Sequence, residues 1–177
     1  YDLALIHYQH ILTVDPKNTD APLYLGALLA ERKKYDEAVQ RFMDLAKAPE
    51  NPNVYLAYYY IGRVRIEQGT KTSEQQAEVA LKKSIELNPE FADAVLALGA
   101  LYSKKDQKTQ ALKLYAQFQK NRGPNARMAE VLSQMYMEEE NYSAAFEQLE
   151  ILHSLNPEDL NVNVKMALIL IEQKNYK

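Results

Sequence analysis

Two histidines three residues apart, His7 and His10 in "IHYQH", are the first side chains along the sequence that could do chemistry. On a helix that spacing puts both imidazoles on one face, where they could approach a metal ion. No third ligand lies nearby in sequence, so they read as surface or groove-edge histidines. His153, beside Leu152, reads as partly buried packing. Glu138, Glu139 and Glu140 form an acidic run that could bridge a cation, although solvated charge before a turn is the simpler reading. Ser73 is followed three residues later by Gln76, which matches a capping box and marks a helix start rather than a nucleophile. "EQGTKT" has one glycine and no strand before it, so it is not a phosphate loop, and no G-x-S-x-G occurs. The expectation is a chain that is not an enzyme, with no catalytic residue, no metal site and no cofactor.

Tyrosine is the other candidate chemistry. The stretch "VYLAYYYIGRVRIEQG", residues 54–69, carries Tyr55, Tyr58, Tyr59 and Tyr60 among strand formers. Local propensity is a weak guide to such a segment, and its register has to come from the rest of the chain. Amphipathic aromatic rings are favoured recognition residues where they line a groove.

Apolar residues make up 47% of the 177 and charged residues 25%, the balance of an ordinary soluble protein rather than a disordered one. With 21 basic against 24 acidic residues and a net charge of −3, there is no basic excess to neutralise nucleic acid. The longest apolar run, Met166 to Ile171, is too short to span a bilayer, so no membrane insertion is expected. Absence of cysteine excludes disulfides and leaves the compartment, cytoplasmic or periplasmic, open. No targeting signal is visible; Tyr1 is not a native start, and the sequence reads as a fragment of a longer chain.

What positions these residues is a repeat. Alanines recur at Ala4, Ala38, Ala77, Ala111 and Ala145, in steps of 34, 39, 34 and 34. Small residues recur at Gly26, Gly62, Gly99, Ser133 and Ala167, each preceded by an apolar residue: Leu25, Ile61, Leu98, Leu132 and Met166. Turn prolines follow Asp15, Asn88 and Asn156, and Glu50 stands where one more is expected. The small columns mark close approaches between helices, and stacking of neighbours creates the core.

These columns, with the Leu-Gly of "YLGALLAERKKYDEA" and "ALGALYSKKDQKTQA" and the Ile-Gly of "YIGRVRIEQG", resemble the tetratricopeptide repeat over the whole chain. Tryptophan is absent, and Ser133 and Ala167 replace the glycine. The resemblance implies an all-α, right-handed superhelical solenoid of antiparallel helix pairs in one array. Its divisions fall at 19–54, 55–91, 92–125 and 126–159, with half repeats at 1–18 and 160–177.

The register places Tyr58 and Ile61 between paired helices and turns Tyr59 and Tyr60 to the concave wall, apparently surplus to packing. Tyr102 and Tyr136 share a column between helices, and Tyr35 and Tyr142 open helices. The concave groove then consists of Leu23, Tyr24, Ala27, Tyr59, Tyr60, Arg63, Leu96, Ala97 and Ala100. Farther along it come Glu130, Val131, Gln134, Val164, Lys165 and Leu168. The family's carboxylate clamp is missing, because Leu23, Ala27, Tyr60, Asp93 and Ala97 occupy its places, and so is the asparagine ladder of related glycosyltransferase arrays. The resemblance implies a non-catalytic scaffold binding a peptide segment or helix of a partner protein. The alternatives are a recruitment segment of a larger enzyme or envelope-assembly protein, and a spacer without a groove ligand.

Two further expectations concern irregular parts. The step of 39 has two extra residues before Gly62 and three after it, so "GTKTSEQ" is expected to be an exposed mobile loop. At the ends, Leu3, Ile6 and Ile11, and Met166, Ile169 and Leu170, are expected to be open, which would let molecules stack head-to-tail.

Overall fold

The computed structural model describes residues 2–47 and 51–174, and every regular element among them is helical. Among the described residues ten helices follow one another: α1 (Asp2–Val14), α2 (Asp20–Glu31), α3 (Tyr35–Lys47), α4 (Val54–Gln68) and α5 (Lys71–Leu87), then α6 (Ala92–Lys104), α7 (Lys108–Arg122), α8 (Ala126–Glu138), α9 (Tyr142–Leu155) and α10 (Leu160–Lys174). Tyr1, and Glu50 where the repeat spacing leads one to expect a turn proline, lie outside the described residues. The tyrosine-rich stretch is helix α4. Its strand propensity is overridden because only a helix brings Ala57, Ile61 and Val64 onto one buried face.

The chain forms two compact units, Tyr1–Lys105 and Asp106–Lys177. In the first, α2 pairs with α3 and α4 with α5, while α3 also packs on α4 and α5 on α6. The core holds Leu25, Leu29, Phe42, Leu45, Ile61 and Val64, with Ala38 and Ala57 fully enclosed. Two glycines set the pair spacing. A Cβ at Gly26 would lie 2.5 Å from Phe42 Cζ, and one at Gly62 would lie 2.6 Å from Leu81 Cγ. In the second unit α8 pairs with α9, with α7 against α8 and α10 against α9. Ala145, Leu149, Val162 and Ile169 form a core there, and Tyr136 and Tyr142 pack on it.

The turns obey the same register. A residue in the left-handed conformation follows the first four of the five small residues by seven positions: Lys33 (φ 60), Gly69 (φ 70), Asp106 (φ 60) and Glu140 (φ 56). At Lys33 and Glu140 the next residue closes the helix with a six-residue bond, Lys34 N–H to Leu29 O at 2.9 Å and Asn141 N–H to Tyr136 O at 2.8 Å. The turns into the next pair start with an Asx side chain accepting from the backbone two residues on. Asp15 accepts from Lys17 N–H, Asn51 from Asn53 N–H and Asn88 from Glu90 N–H. Asn51-Pro52 therefore fills the turn that the repeat spacing assigned to Glu50. The two extra residues precede it, which shifted the expected place.

The expected loop after Gly62 is not a loop. Left-handed Gly69 ends α4, Thr70 caps α5, and helix runs on from Lys71. The Thr70 hydroxyl accepts from Ser73 N–H at 3.1 Å, and Ser73 Oγ accepts from Thr70 N–H at 2.9 Å. The capping box is thus Thr70–Ser73 rather than Ser73–Gln76, because the helix begins three residues earlier than the Ser73 spacing suggested. The left-handed residue precedes the buried alanine by eight positions here, Gly69 to Ala77, and by five elsewhere, as from Lys33 to Ala38. The three extra residues are one added helical turn.

On α10, Ile169 is buried at 1% exposure and Met166 is half-buried against the same core, rather than open. Ile169 shares the face that meets α9 with Val162. The exposed apolar side chains of α10 are Leu160, Val164, Leu168, Leu170 and Ile171. On α1, Leu3, Ile6, Ile11 and Val14 are exposed, as the sequence leads one to expect for the first three.

Candidate protein-binding site

Positions 59, 60 and 63 of α4 project from the face opposite to Tyr58, Ile61 and Arg65, since a helix turns about 100° per residue. On that face the rings form a chain. Tyr60 stacks on Phe42 of α3 at 5.4 Å between centroids, and Tyr59 meets Tyr60 edge-on at 5.2 Å. Phe91, just before α6, meets both Tyr59 and Tyr55 edge-on at 5.0 Å. Arg63 Nη1 donates to the Tyr59 hydroxyl at 2.8 Å, and its guanidinium carbon lies 5.8 Å from that ring's centroid. One cation is thereby oriented over an aromatic surface.

The two wall tyrosines are therefore not surplus to packing. Both are half-buried, and Tyr60 belongs to the shell around the first unit's core. Tyr24 differs: it is 55% exposed and stacks on Tyr8 of α1 at 5.2 Å. Leu23 packs onto the core and Leu96 is half-buried, whereas Ala27 and Ala100 are exposed.

Between α2 and α4 lies a cavity of about 380 Å³ that brings together three of the expected residues, Ala27, Tyr60 and Arg63. Glu31, Phe42 and Glu67 also line it and were not anticipated from the sequence. A signal existed, because Glu31 and Glu67 follow Ala27 and Arg63 by four residues and so share their helix faces. The arrangement offers an aromatic floor, one cation and two carboxylates.

The expected positions of the second unit stand on its own helices. Glu130 and Gln134 are exposed one turn apart on α8, and Lys165 is half-buried on α10. Gln134 donates to Glu138 at 3.4 Å, and Glu138 pairs with Lys108 at 3.0 Å, which holds its carboxyl below the usual range. The acidic run is thus tied to an ion pair at a helix end. His7 and His10 are exposed. His153 Nδ1 lies 2.8 Å from Asn163 Oδ1, so this side chain links α9 to α10 through a polar contact as well as packing.

The most perturbed carboxylate supports the frame rather than the wall. Glu78 on α5 accepts from Lys105 at 2.7 Å and from Lys82 at 2.8 Å, and Tyr102 donates to it at 3.4 Å. The Lys105 and then the Lys82 hydrogen bond pull its pKa down to about 2.

Paired helices, small-residue close approaches and left-handed turns in fixed register define a tetratricopeptide-repeat protein. The chain is one, similar to the pilus protein PilF, to MamA and to other proteins of this kind. The Tetratricopeptide repeat family matches residues 80–113. The type IV pilus assembly protein PilF of Pseudomonas aeruginosa is 27% identical over 125 residues, covering 71% of this chain and 48% of PilF. The chain thus spans about half the length of that curated relative.

Among solved structures, MamA superposes with a TM-score of 0.66 at 21% identity, covering 88% of this chain and 85% of MamA. The Pseudomonas aeruginosa PilF structure gives 0.62 at 23% identity, covering 93% and 71%. YrrB, described as a TPR protein with an unusual peptide-binding site, gives 0.59 at 22%, covering 91% and 80%. Identities this low speak for the fold. Tetratricopeptide repeats are scaffolds for protein–protein interaction and typically not catalytic. Among the described residues no helix is long and apolar enough to cross a membrane.

Proposed function

We propose that this chain is a non-catalytic scaffold that binds a peptide segment or helix of a partner protein on the α2–α4–α6 wall of its first unit. The observation that carries the reading is the cavity where Ala27, Tyr60 and Arg63 meet; Tyr24, 55% exposed, precedes Ala27 by three residues on α2 and so shares its helix face. Tyr60 and Phe42 supply an apolar floor for a partner side chain. Arg63, held by Tyr59, offers guanidinium N–H donors to a partner carboxylate or carbonyl, and Glu31 and Glu67 accept from its N–H or ammonium groups. Leu23, Leu96 and Ala100 extend the wall, and Glu130, Gln134 and Lys165 offer polar contacts on the second unit. The peptide-binding site described for YrrB supports a peptide ligand.

A second reading follows from the likeness to a type IV pilus assembly protein: this chain is the recruitment segment of an envelope-assembly protein whose activity lies in other parts. Both readings use the same wall and differ in the partner. The partner bound by the native protein is expected to lose at least tenfold in affinity to Tyr24→Ala and to Arg63→Glu, with helicity unchanged. Normal binding by both variants would move the site elsewhere. The exposed apolar faces of α1 and α10 add head-to-tail self-association to the proposal. Sedimentation should then show mass rising with concentration, and a strictly monomeric chain at high concentration overturns that part.

A further inference from the structure

The opposite side of α4 from the proposed site carries a larger feature. Between α3 and α5 runs an open groove of about 790 Å³. Its floor is Ile61 and Ala80, 6% and 4% exposed, and its walls are Val39 and Met43 on one side and Val79, 69% exposed, on the other. Tyr58 of α4 also lines it. None of these residues faces the cavity that holds Ala27, Tyr60 and Arg63.

Two observations say what would fill this groove. The first is the added turn of α5. Thr72, Gln75 and Gln76 belong to the segment that carries the three extra residues, and all three line the groove. The added turn lengthens one wall and gives it polar groups at that end. The second is charge. Lys82 and Lys83 stand on the α5 rim and Arg65 on α4. Asp36 pairs with Arg65 at 2.7 Å and Glu86 with Lys83 at 2.9 Å, but Glu78 serves both Lys82 and Lys105. Of the charged side chains that line the groove, three are cations (Arg65, Lys82 and Lys83) and one is a carboxylate (Glu86); Asp36 and Glu78, which pair with two of the cations, do not line it.

We propose that the α3–α5 groove is a second docking surface, which takes an amphipathic helix of a partner protein with an apolar stripe on the groove floor and carboxylates along the flank facing Lys82 and Lys83. An apolar trough with a one-sided basic rim fits a helix with these two faces. The groove and the concave cavity lie on opposite faces of α4, so each surface can be altered without touching the other.

The test uses two labelled 16-residue helical peptides of one frame, with leucine at helical spacing and a flank of either glutamate or lysine. Fluorescence anisotropy is read against the whole chain. The glutamate-flanked peptide should bind at least tenfold more tightly than the lysine-flanked one. Val79→Glu, at an exposed position, should abolish its binding by at least tenfold, and Tyr24→Ala should leave it unchanged. Lys83→Glu should reverse the preference between the two peptides. Equal binding of both peptides, binding insensitive to Val79→Glu, or no binding of either peptide overturns the proposal. Loss of binding with Tyr24→Ala would assign the peptide to the concave wall and overturn it as well.

Discussion

Tyr60 lies nearly parallel to Phe42, with centroids 5.4 Å apart and planes 18° from coplanar, and Phe42 is the ring that Gly26 leaves room for. One phenylalanine therefore carries the close approach of α2 to α3 on one side and the floor of the candidate binding cavity on another. The candidate wall and the core are mechanically joined at this point, which separates the tyrosines into two kinds.

Tyr60→Ala should cost about 1–3 kcal/mol of stability, since it removes a half-buried ring stacked on a core residue. Tyr24→Ala removes a mostly exposed ring with one stacking partner and should cost about 0.5–1 kcal/mol. Urea unfolding of both variants checks this. Equal losses would mean that Tyr60 contributes no more to the core than a surface residue. Loss of partner affinity with Tyr60→Ala alone would consequently be ambiguous, and Tyr24 and Arg63 are the positions that test the proposed site.

Acid should weaken the contact between α5 and α6 in a defined window. Glu78 has its pKa lowered from the ordinary 4.5 to about 2, first by Lys105 and then by Lys82. Its folded pKa is depressed, so its contribution is fully present above pH 4.5 and disappears as pH falls towards 2. The amount is on the order of 1–3 kcal/mol, reduced by partial solvent exposure of the cluster. Glu78→Gln should be less stable than wild type at neutral pH, and the gap should close across that window. A gap that does not change with pH would assign its effect to packing.

Much of the fold could be read in advance because it is periodic and local. Ala38, Ala77, Ala111 and Ala145 are all fully enclosed, whereas Ala4 of the same column is half-buried on α1. Leu25, Ile61, Leu98 and Leu132 are buried beside the small residues that follow them. The errors arose where the period slips. Two extra residues ahead of Asn51-Pro52 moved the turn off its expected place, and three after Gly69 became helix because Thr70 and Ser73 can cap each other. The site was less legible for a different reason. Tyr59 and Tyr60 lie on the α4 face away from Ile61, but the rings that hold them, Phe42 of α3 and Phe91 just before α6, come from outside α4. A single-helix projection cannot supply those neighbours.

Removal of Lys71, Thr72 and Ser73 tests the added turn. The deletion puts Ala77 five residues after Gly69, the spacing found after Lys33, Asp106 and Glu140. It also places Gln76 three residues after Thr70, so a Thr-x-x-Gln capping box can replace the lost one. The chain should stay folded, with a stability loss below about 2 kcal/mol from the missing Ser73 contacts. Collapse of helicity by circular dichroism would show that the added turn is required for the α4–α5 pair.

The left-handed turn residues give the last prediction. Glu140 and Lys33 hold φ 56 and 60 without being glycine, and both are exposed. An L side chain in this region is strained by roughly 1–2 kcal/mol, because its Cβ crowds the following carbonyl. Glycine relieves the strain, at a cost of about 0.5–1 kcal/mol in extra freedom of the unfolded chain. The six-residue backbone bond that closes the helix does not involve the side chain and should survive. Glu140→Gly and Lys33→Gly should therefore each stabilise by up to about 1 kcal/mol. Glu140→Ile should destabilise, because a branched Cβ is worst placed at positive φ. Gly69, at φ 70, tests the converse: Gly69→Ala should lose about 1 kcal/mol. Urea midpoints should rank glycine above glutamate above isoleucine at position 140. A Glu140→Gly variant less stable than wild type would mean that the glutamate side chain supports the turn by more than its backbone strain costs.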